Sequence, residues 1–484
     1  MFRSDLTAQR SLLAFTVRDF VADKSDVWLY VDLFDHLDLE DFDSDYVSQG
    51  KEGIEPKLIL RSMFYGLTHG VVSGRKLGEV CCHDARYLVL SGEQRPTART
   101  FQRFLVRHAA RIDALFVQVV KLAQGMGLVR LGRVAFDGSR FKANTSKHKA
   151  MSAGRMDQAM VQIREELAKL KTDLEKTNAA EDGGRDSSLP DEIKRREQRL
   201  AKIKAAKEAL AKDYEGEQVP EKAQKSFADH DALPMAKAND AFQYGYNCQA
   251  AVDAENQIIV AADLHDAAND YQALPGLLEQ TKENCGASAA AVLADCGYKS
   301  SENLAAIESH GAAAYVALGK GEDIASQDVR ASITVETKDS GETVVTCPAG
   351  QNMSIKLRHA DGSLGVRLPK RACRKCPMQE QCPLRPLTQK SIHLPRPEHF
   401  NAVMGNHARM QSAEGREIYR RRKVIVEPVF GNIKNKGMKI LVRGRGKVAN
   451  WWRVACLAHN IEKVVGAMAN GVRPNSPLST LTPV

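Results

Sequence analysis

The chain has 484 residues, 43% of them hydrophobic, and carries 69 Lys and Arg against 60 Asp and Glu for a net charge of +9. That length holds several domains and at least one large core, which excludes a peptide or a single small module, and no apolar run reaches the roughly 18 to 20 residues of a membrane-spanning helix. The opening MFRSDLTAQRSLLAF places acidic and polar residues where a secretory signal has a basic start and an apolar run, so the chain reads as unexported and cytoplasmic.

From about Pro56 to Leu128 apolar residues recur at helical spacing, in PKLILRSMFYGLTHGVV and again in TFQRFLVRHAARIDALFVQVVKLA. Between them a turn and a capping Thr97 open a helix whose first turns carry Arg99, Arg103 and Arg107. This is either a helix-turn-helix that reads DNA or an ordinary helical pair with surface arginines. The pattern changes at Leu131, where GRVAFDGSRFKANTS predicts a short strand, a turn at Asp137-Gly138 and a returning strand. Met160, Ile163, Leu167, Leu170 and Leu174 then form a heptad seam. Gly183-Gly184 and Ser187-Ser188-Leu189-Pro190 break it, and Ile193, Leu200, Ile203 and Leu210 mark a second helix, predicting an antiparallel helical hairpin.

Strands resume at Gly245. GYNCQAAVD and QIIVAADLHD flank Ala254-Glu255-Asn256 as a hairpin, followed by a helix from about Tyr271 to Asn284, a strand AAAVLAD, a helix near Ser301 to Glu308 and a strand AAAYVAL. The order describes an α/β core built on a mixed sheet. TVET, ETVVT and GVRLP are short β-like pieces of a second insertion, and NGVRPNSPLSTLTPV reads as a disordered tail. The predicted division is a helical domain over 1–128, the sheet core over 129–150 and 240–318, the hairpin insertion over 151–239, the β-rich insertion over 319–400, core helices over 401–470 and a tail over 471–484.

Six of the ten cysteines are scattered as reduced thiols would be. Cys347, Cys373, Cys376 and Cys382 cluster in TCPAG and ACRKCPMQEQCPL, a Cys-x2-Cys centre with a flanking cysteine on each side. They are candidates for a tetrahedral structural Zn2+, against four reduced thiols.

Between Glu414 and Lys447 eleven Lys or Arg stand against three Glu, a segment that is either a solvated face or a site for a polyanion such as DNA. Asp137 closes the apolar run VAFD and Asp295 the run VLAD, positions where a carboxylate either caps the next turn or holds a cation. Glu427, in the most basic stretch, either pairs with Lys423 or completes an oxygen cage for hard divalent ions, with Lys434 two turns along the same face. Two such ions activate a nucleophile and stabilise the leaving oxygen in phosphodiester chemistry, and Arg422 and Lys434 are placed to ground the phosphates. Trp451 and Trp452 are candidates for stacking on a flipped base, with core packing as the competing reading.

VAFDGSRFKANTS, GYNCQAAVD, VLADCGY, YRRRKVIVEPVFGNIK and RGRGKVANWWRVACLAHNIEK, in that order, resemble the successive blocks of DDE-class transposases of bacterial insertion sequences, in the branch with a Tyr-Arg-Glu-Lys signature and a cysteine-bearing insertion. The resemblance extends from about Pro56 to Val465. It implies a ribonuclease H-like core, two Mg2+ or Mn2+ ions and a metal-binding triad of Asp137, Asp295 and Glu427. Tyr419, Arg422 and Lys434 match the rest of the signature, with Arg422 to Glu427 one residue longer than the commonest spacing, and DHDALPM stands where an Asp-Pro-Asp run is expected. Arg443, Arg445, Trp451 and Trp452 join Tyr419, Arg422 and Lys434 as candidate DNA contacts. The implied activity is binding of terminal inverted repeats, cleavage at the element ends and joining of 3' ends to target DNA, by a homodimer on double-stranded DNA. The competing readings are a catalytically silent DNA-binding protein and a metal-dependent nuclease with the same core.

Overall fold

The structure is a computed structural model and describes residues 16–43, 53–179, 188–215, 217–236, 242–319, 329–385 and 391–474. The Gly183-Gly184 breaker and, from residue 475, the expected disordered tail lie outside the described residues. Among the described residues seven α-helices precede the sheet: α1 (Val27–Asp35), α2 (Glu40–Asp43), α3 (Pro56–Thr68), α4 (Gly74–His83), α5 (Ala85–Leu90), α6 (Ala98–Arg107) and α7 (Ala109–Gly125). Thr97 and Thr100 exchange side-chain to backbone hydrogen bonds at 3.3 and 3.2 Å, a reciprocal cap that starts α6 where the sequence predicts. Phe101 and Phe104 turn inward and leave Arg99 and Arg103 on the exposed face. α4 crosses the start of α6 so closely that a Cβ on Gly78 would lie 2.9 Å from the Ala98 nitrogen.

The sheet follows. Its members are β1 (Val134–Lys142), β4 (Leu233–Ala236), β5 (Phe242–Asp253), β6 (Ile259–His265), β7 (Ala291–Ala294) and β8 (Ala313–Val316), while β2 (Ala150–Ser152) and β3 (Gln224–Ser226) pair apart from it. β5 carries β4 and β6 on one side and β1 on the other, all antiparallel, and β1, β7 and β8 continue as a parallel set. α10 (Leu274–Cys285) and α11 (Ser301–Ser309) make the crossovers between β6, β7 and β8. α10 starts three residues later than predicted, with a proline in its first turn, which leaves Asp270 and Tyr271 in the preceding loop.

Asp137-Gly138 is not a turn. β1 runs through it, and the pairing with β5 is unbroken from Val134 opposite Asp253 to Lys142 opposite Gly245. The glycine is needed for a different reason: a Cβ there would lie 2.3 Å from Gln249 Nε2 and 2.9 Å from Asp270 Oδ1.

Two further units have cores of their own. α8 (Ala153–Ala179) and α9 (Ser188–Asp213) form the predicted antiparallel hairpin, burying Met160, Ile163, Leu167, Ile193 and Ile203, and Glu166–Arg196 (2.6 Å) and Lys171–Glu197 (3.0 Å) pair across it. β9 (Thr334–Thr337) and β10 (Thr343–Thr346) form a ribbon, and β11 (Ser354–Arg358), β12 (Leu364–Arg367) and β13 (Ile392–Leu394) a small sheet around Leu364, Val366 and Leu394, with α12 (Lys370–Cys373) in the loop.

The chain ends in α13 (Phe400–Gln411), α14 (Ala413–Arg420), α15 (Arg422–Asn435) and α16 (Arg445–Ala469). Two outer strands of the sheet, β6 and β8, are each closed by a buried asparagine. Asn460 of α16 accepts from the Ile259 nitrogen and donates to its carbonyl at 2.8 Å each, and Asn406 of α13 does the same to Val316 at 2.9 and 3.0 Å. These amides take the place of a missing neighbouring strand. α16 also packs on α3 and α7, so one continuous buried core runs from Val21 to Met468 and joins the amino-terminal helices to the sheet.

His459 lies buried in this core, and its Nε2 sits 2.8 Å from the Gln257 carbonyl, which makes Nε2 the protonated nitrogen. Nδ1 is buried without a partner among the described residues, and burial pushes the imidazole pKa down to about 4. The unfolded chain binds this proton near pH ~6.5 while the folded chain resists it, so stability is full above that value and falls as the pH drops towards 4, by about 3 kcal/mol from this group alone. Urea midpoints measured between pH 7 and 4.5 are expected to fall more steeply for the wild type than for His459→Gln; equal slopes would exclude this origin.

Candidate active site

The register of two parallel strands sets the centre. Phe136 pairs with Ala294 across β1 and β7, so Asp137 and Asp295 each follow the last paired residues of two neighbouring parallel strands. The chain leaves the sheet at Asp295, where Oδ1 accepts from the Gly297 nitrogen at 2.7 Å and starts a short 3-10 turn ending at Tyr298. The capping role considered for this aspartate is therefore real, and it uses only one oxygen.

Asp137 is more enclosed. Its Oδ1 accepts from the Gly138 nitrogen at 2.9 Å, and its Oδ2 from Arg422 Nη1 at 3.0 Å, with the two side chains 18% and 8% exposed. Burial pushes the Asp137 carboxyl up; the guanidinium of Arg422 works against this and the neighbouring Asp295 adds to it. Burial works against the charge on Arg422, but Asp137, Tyr419 and Asp295 outweigh it and raise its pKa. Arg422 Nε is buried without a hydrogen-bond partner among the described residues, a donor directed at no protein acceptor. Tyr419, on the preceding α14, is half-buried, and burial raises its hydroxyl pKa.

α15 runs along β1. Arg422 meets Asp137 at its start, and near its end Lys434 Nζ donates to Ser139 Oγ at 2.6 Å and lies 5.2 Å from the centre of the Phe141 ring. Pro428 does not stop the helix. Its missing N–H leaves the Val424 carbonyl without the usual partner four residues on, and Gln257 Nε2 donates to that carbonyl at 2.9 Å instead. Glu427 is exposed, two turns before Lys434 on the same edge of the helix. It forms no ion pair with Lys423, and among the described residues no group of three or more His, Cys, Asp or Glu side chains is arranged to hold a metal ion. Asp137 and Asp295 are thus brought together, and Glu427 stands exposed on α15 without joining them.

The remaining candidates divide. Trp452 is 1% exposed, stacks on Phe430 at 5.9 Å and donates Nε1–H to the Gln249 carbonyl at 2.9 Å. The expectation that it contacts DNA is corrected: the inward face of α16 and the need to satisfy its indole N–H place it in the core. Trp451 is half-buried, edge-on to Phe141 at 5.3 Å. Arg443 donates to the Asn144 carbonyl at 2.9 Å, and Arg445 pairs with Asp266 at 2.5 Å, so both guanidinium groups already have protein partners. DHDALPM has a structural task here: Asp229 accepts from the Gly444 nitrogen at 3.1 Å and Asp231 from that of Arg445 at 2.7 Å, capping the start of α16.

Cys347, Cys373, Cys376 and Cys382 line one cavity of about 260 Å³, all as free thiols. They do not converge as ligands, so the structure gives a zinc site no support. Burial, with the three neighbouring thiols, raises the Cys373 pKa, which favours the neutral form.

One part of the centre is not evident from sequence motifs. Asn247 and Gln249, 2% and 1% exposed, project from one face of β5, and both donate to Asp270 Oδ1, at 2.8 and 2.6 Å. The signal for them is two polar residues at period two in an otherwise apolar strand.

Among the described residues no helix is long and apolar enough to cross a membrane. Residues 346–465 match the model of the transposase DDE domain, and residues 16–107 match that of a transposase domain of the DUF772 family. The first contains Tyr419, Arg422, Glu427 and Lys434, and Asp137 and Asp295 lie between the two. No curated protein and no solved structure matches the chain. A DDE domain implies an enzyme that cuts and joins DNA, with DNA as its partner. The two matches, one towards each end of the chain, indicate a DDE-type transposase of an insertion sequence.

Proposed function

We propose that this transposase binds the terminal inverted repeats of its element, cleaves DNA at the element ends and joins the 3' ends to target DNA, with Asp137, Asp295 and Glu427 as its acidic triad. The observation that carries the reading is the adjacent pair of aspartates on parallel strands, with a basic helix laid across them. A ribonuclease H-like core is supported by the strand order β6-β5-β1-β7-β8, antiparallel for the first three and parallel for the last.

Two neighbouring carboxylates suit a hard divalent cation, and Asp295 has an oxygen left over from its cap. Asp137, Asp295 and Glu427 would hold Mg2+ or Mn2+, which when bound supply charge stabilisation at the attacking and leaving oxygens of the phosphodiester. Arg422 has to release Asp137 for this, and its unpartnered Nε then serves a phosphate oxygen. Lys434 Nζ, held at Ser139, grounds a neighbouring phosphate, and the exposed Arg99 and Arg103 on α6 contact the duplex. Two element ends each need a centre, so a pair of copies acts on the DNA.

The test is incubation of the purified protein with Mg2+ and labelled DNA carrying the flanking inverted repeat. Cleaved and joined products are expected. Cleavage without joining would make the protein a nuclease, and binding without cleavage in Mg2+ or Mn2+ a catalytically silent DNA-binding protein.

A further inference from the structure

Asp270 sits in the loop after β6, and its side chain lies beside Gly138 and Gly297, glycines that closely follow the two aspartates of the centre. Its Oδ1 takes the two amide donors of Asn247 and Gln249. Gln249 Oε1 in turn accepts from the buried Tyr298 hydroxyl, in the turn that Asp295 caps. Towards Asp137, the same Oδ1 lies 2.9 Å from where a Gly138 Cβ would stand, so only a glycine next to that aspartate leaves room for the network. Towards Asp295, Asp270 Oδ2 lies 3.4 Å and Asp295 Oδ1 2.9 Å from the position of a Gly297 Cβ. Oδ2 receives no hydrogen bond among the described residues.

We infer that Asp270 is a positioning residue of the catalytic centre: one oxygen fixes the Gln249 amide that ties the Tyr298 turn to β5, and the other keeps a third negative charge beside the cation position. This rests on the reading of Asp137 and Asp295 given above. Asp270 does not itself close a cage with them. It acts on the ion through its charge and through the placement of Asp295, as outer-shell carboxylates do.

Asp270→Asn separates the two parts, since its Oδ1 still accepts from both amides while the charge is lost. The Mg2+ concentration for half-maximal strand transfer is expected to rise roughly 10- to 100-fold, with the same shift in Mn2+ affinity of the DNA-free protein read by electron paramagnetic resonance. The melting temperature should stay within about 3 °C of wild type, because the hydrogen bonds persist. Unchanged metal dependence in Asp270→Asn, where Asp295→Asn abolishes transfer, overturns the role of Asp270 alone. Retained transfer in Asp295→Asn overturns the underlying assignment instead. If Asp270→Asn melts early, Asp270→Glu decides: Mn2+ affinity within about threefold of wild type supports the charge, and a loss as large as that of Asn overturns it.

Discussion

Asp295→Asn is expected to lower single-turnover strand transfer by about a thousandfold, on the order of 4 kcal/mol of transition-state stabilisation, while terminal DNA still binds. The asparagine keeps the shape of the side chain and an oxygen that accepts from the Gly297 nitrogen, so the turn to Tyr298 survives. What it removes is the negative charge beside Asp137, the part a divalent cation needs. Asp295→Ala loses the cap as well, adding a stability cost of about 1 kcal/mol that the asparagine variant should not show. Comparing the two by denaturation and by strand transfer separates the capping role from the chemical one. Transfer at the wild-type rate in the asparagine variant would remove Asp295 from the centre.

Trp452→Ala is expected to destabilise the protein by about 3 to 5 kcal/mol, among the largest effects of any single core truncation. The indole fills the space between Phe430 and the sheet, and its N–H donates to the Gln249 carbonyl, so truncation opens a cavity and removes a buried hydrogen bond. Because Gln249 also belongs to the network on Asp270, the damage reaches the centre through packing. Urea denaturation reads the loss directly. A variant within about 1 kcal/mol of wild type that binds terminal DNA more weakly would restore the base-stacking role and refute the core assignment.

The alternation of strands and helices from Gly245 to Leu318 was legible because each element has a clear period and a turn signal at its ends, and the heptad seam announced the hairpin in the same way. Asp295 could be placed because an apolar run ends on it. Asp137 is legible only in part: the apolar run ends there, but the strand does not. Asp-Gly is a turn signal only where the glycine serves a backbone conformation, and at Gly138 it serves contact with Gln249 and Asp270, partners distant in sequence. The same limit hides Asp270, whose meaning comes wholly from β5 and the Tyr298 turn. It also applies to the tryptophan pair, since one helix presents Trp452 to the sheet and Trp451 to the rim. For Pro428, the residue that makes a helical proline tolerable is Gln257, far back in the chain.

The asparagine clasps have a bearing on synthesis. The amide that closes β6 belongs to α16, the last helix described, and so does the indole that covers the middle of β5. A chain still emerging from the ribosome therefore carries a sheet with an open edge and an uncovered apolar face until α16 has cleared the exit tunnel. Such a surface invites pairing with other chains, so slow translation or truncation ahead of Arg445 should yield aggregated rather than partly active protein. The long-range pairing of β1 with β7 adds a late and slow folding step of its own. Competence to act on DNA thus waits until α16 has been made and docked on the sheet.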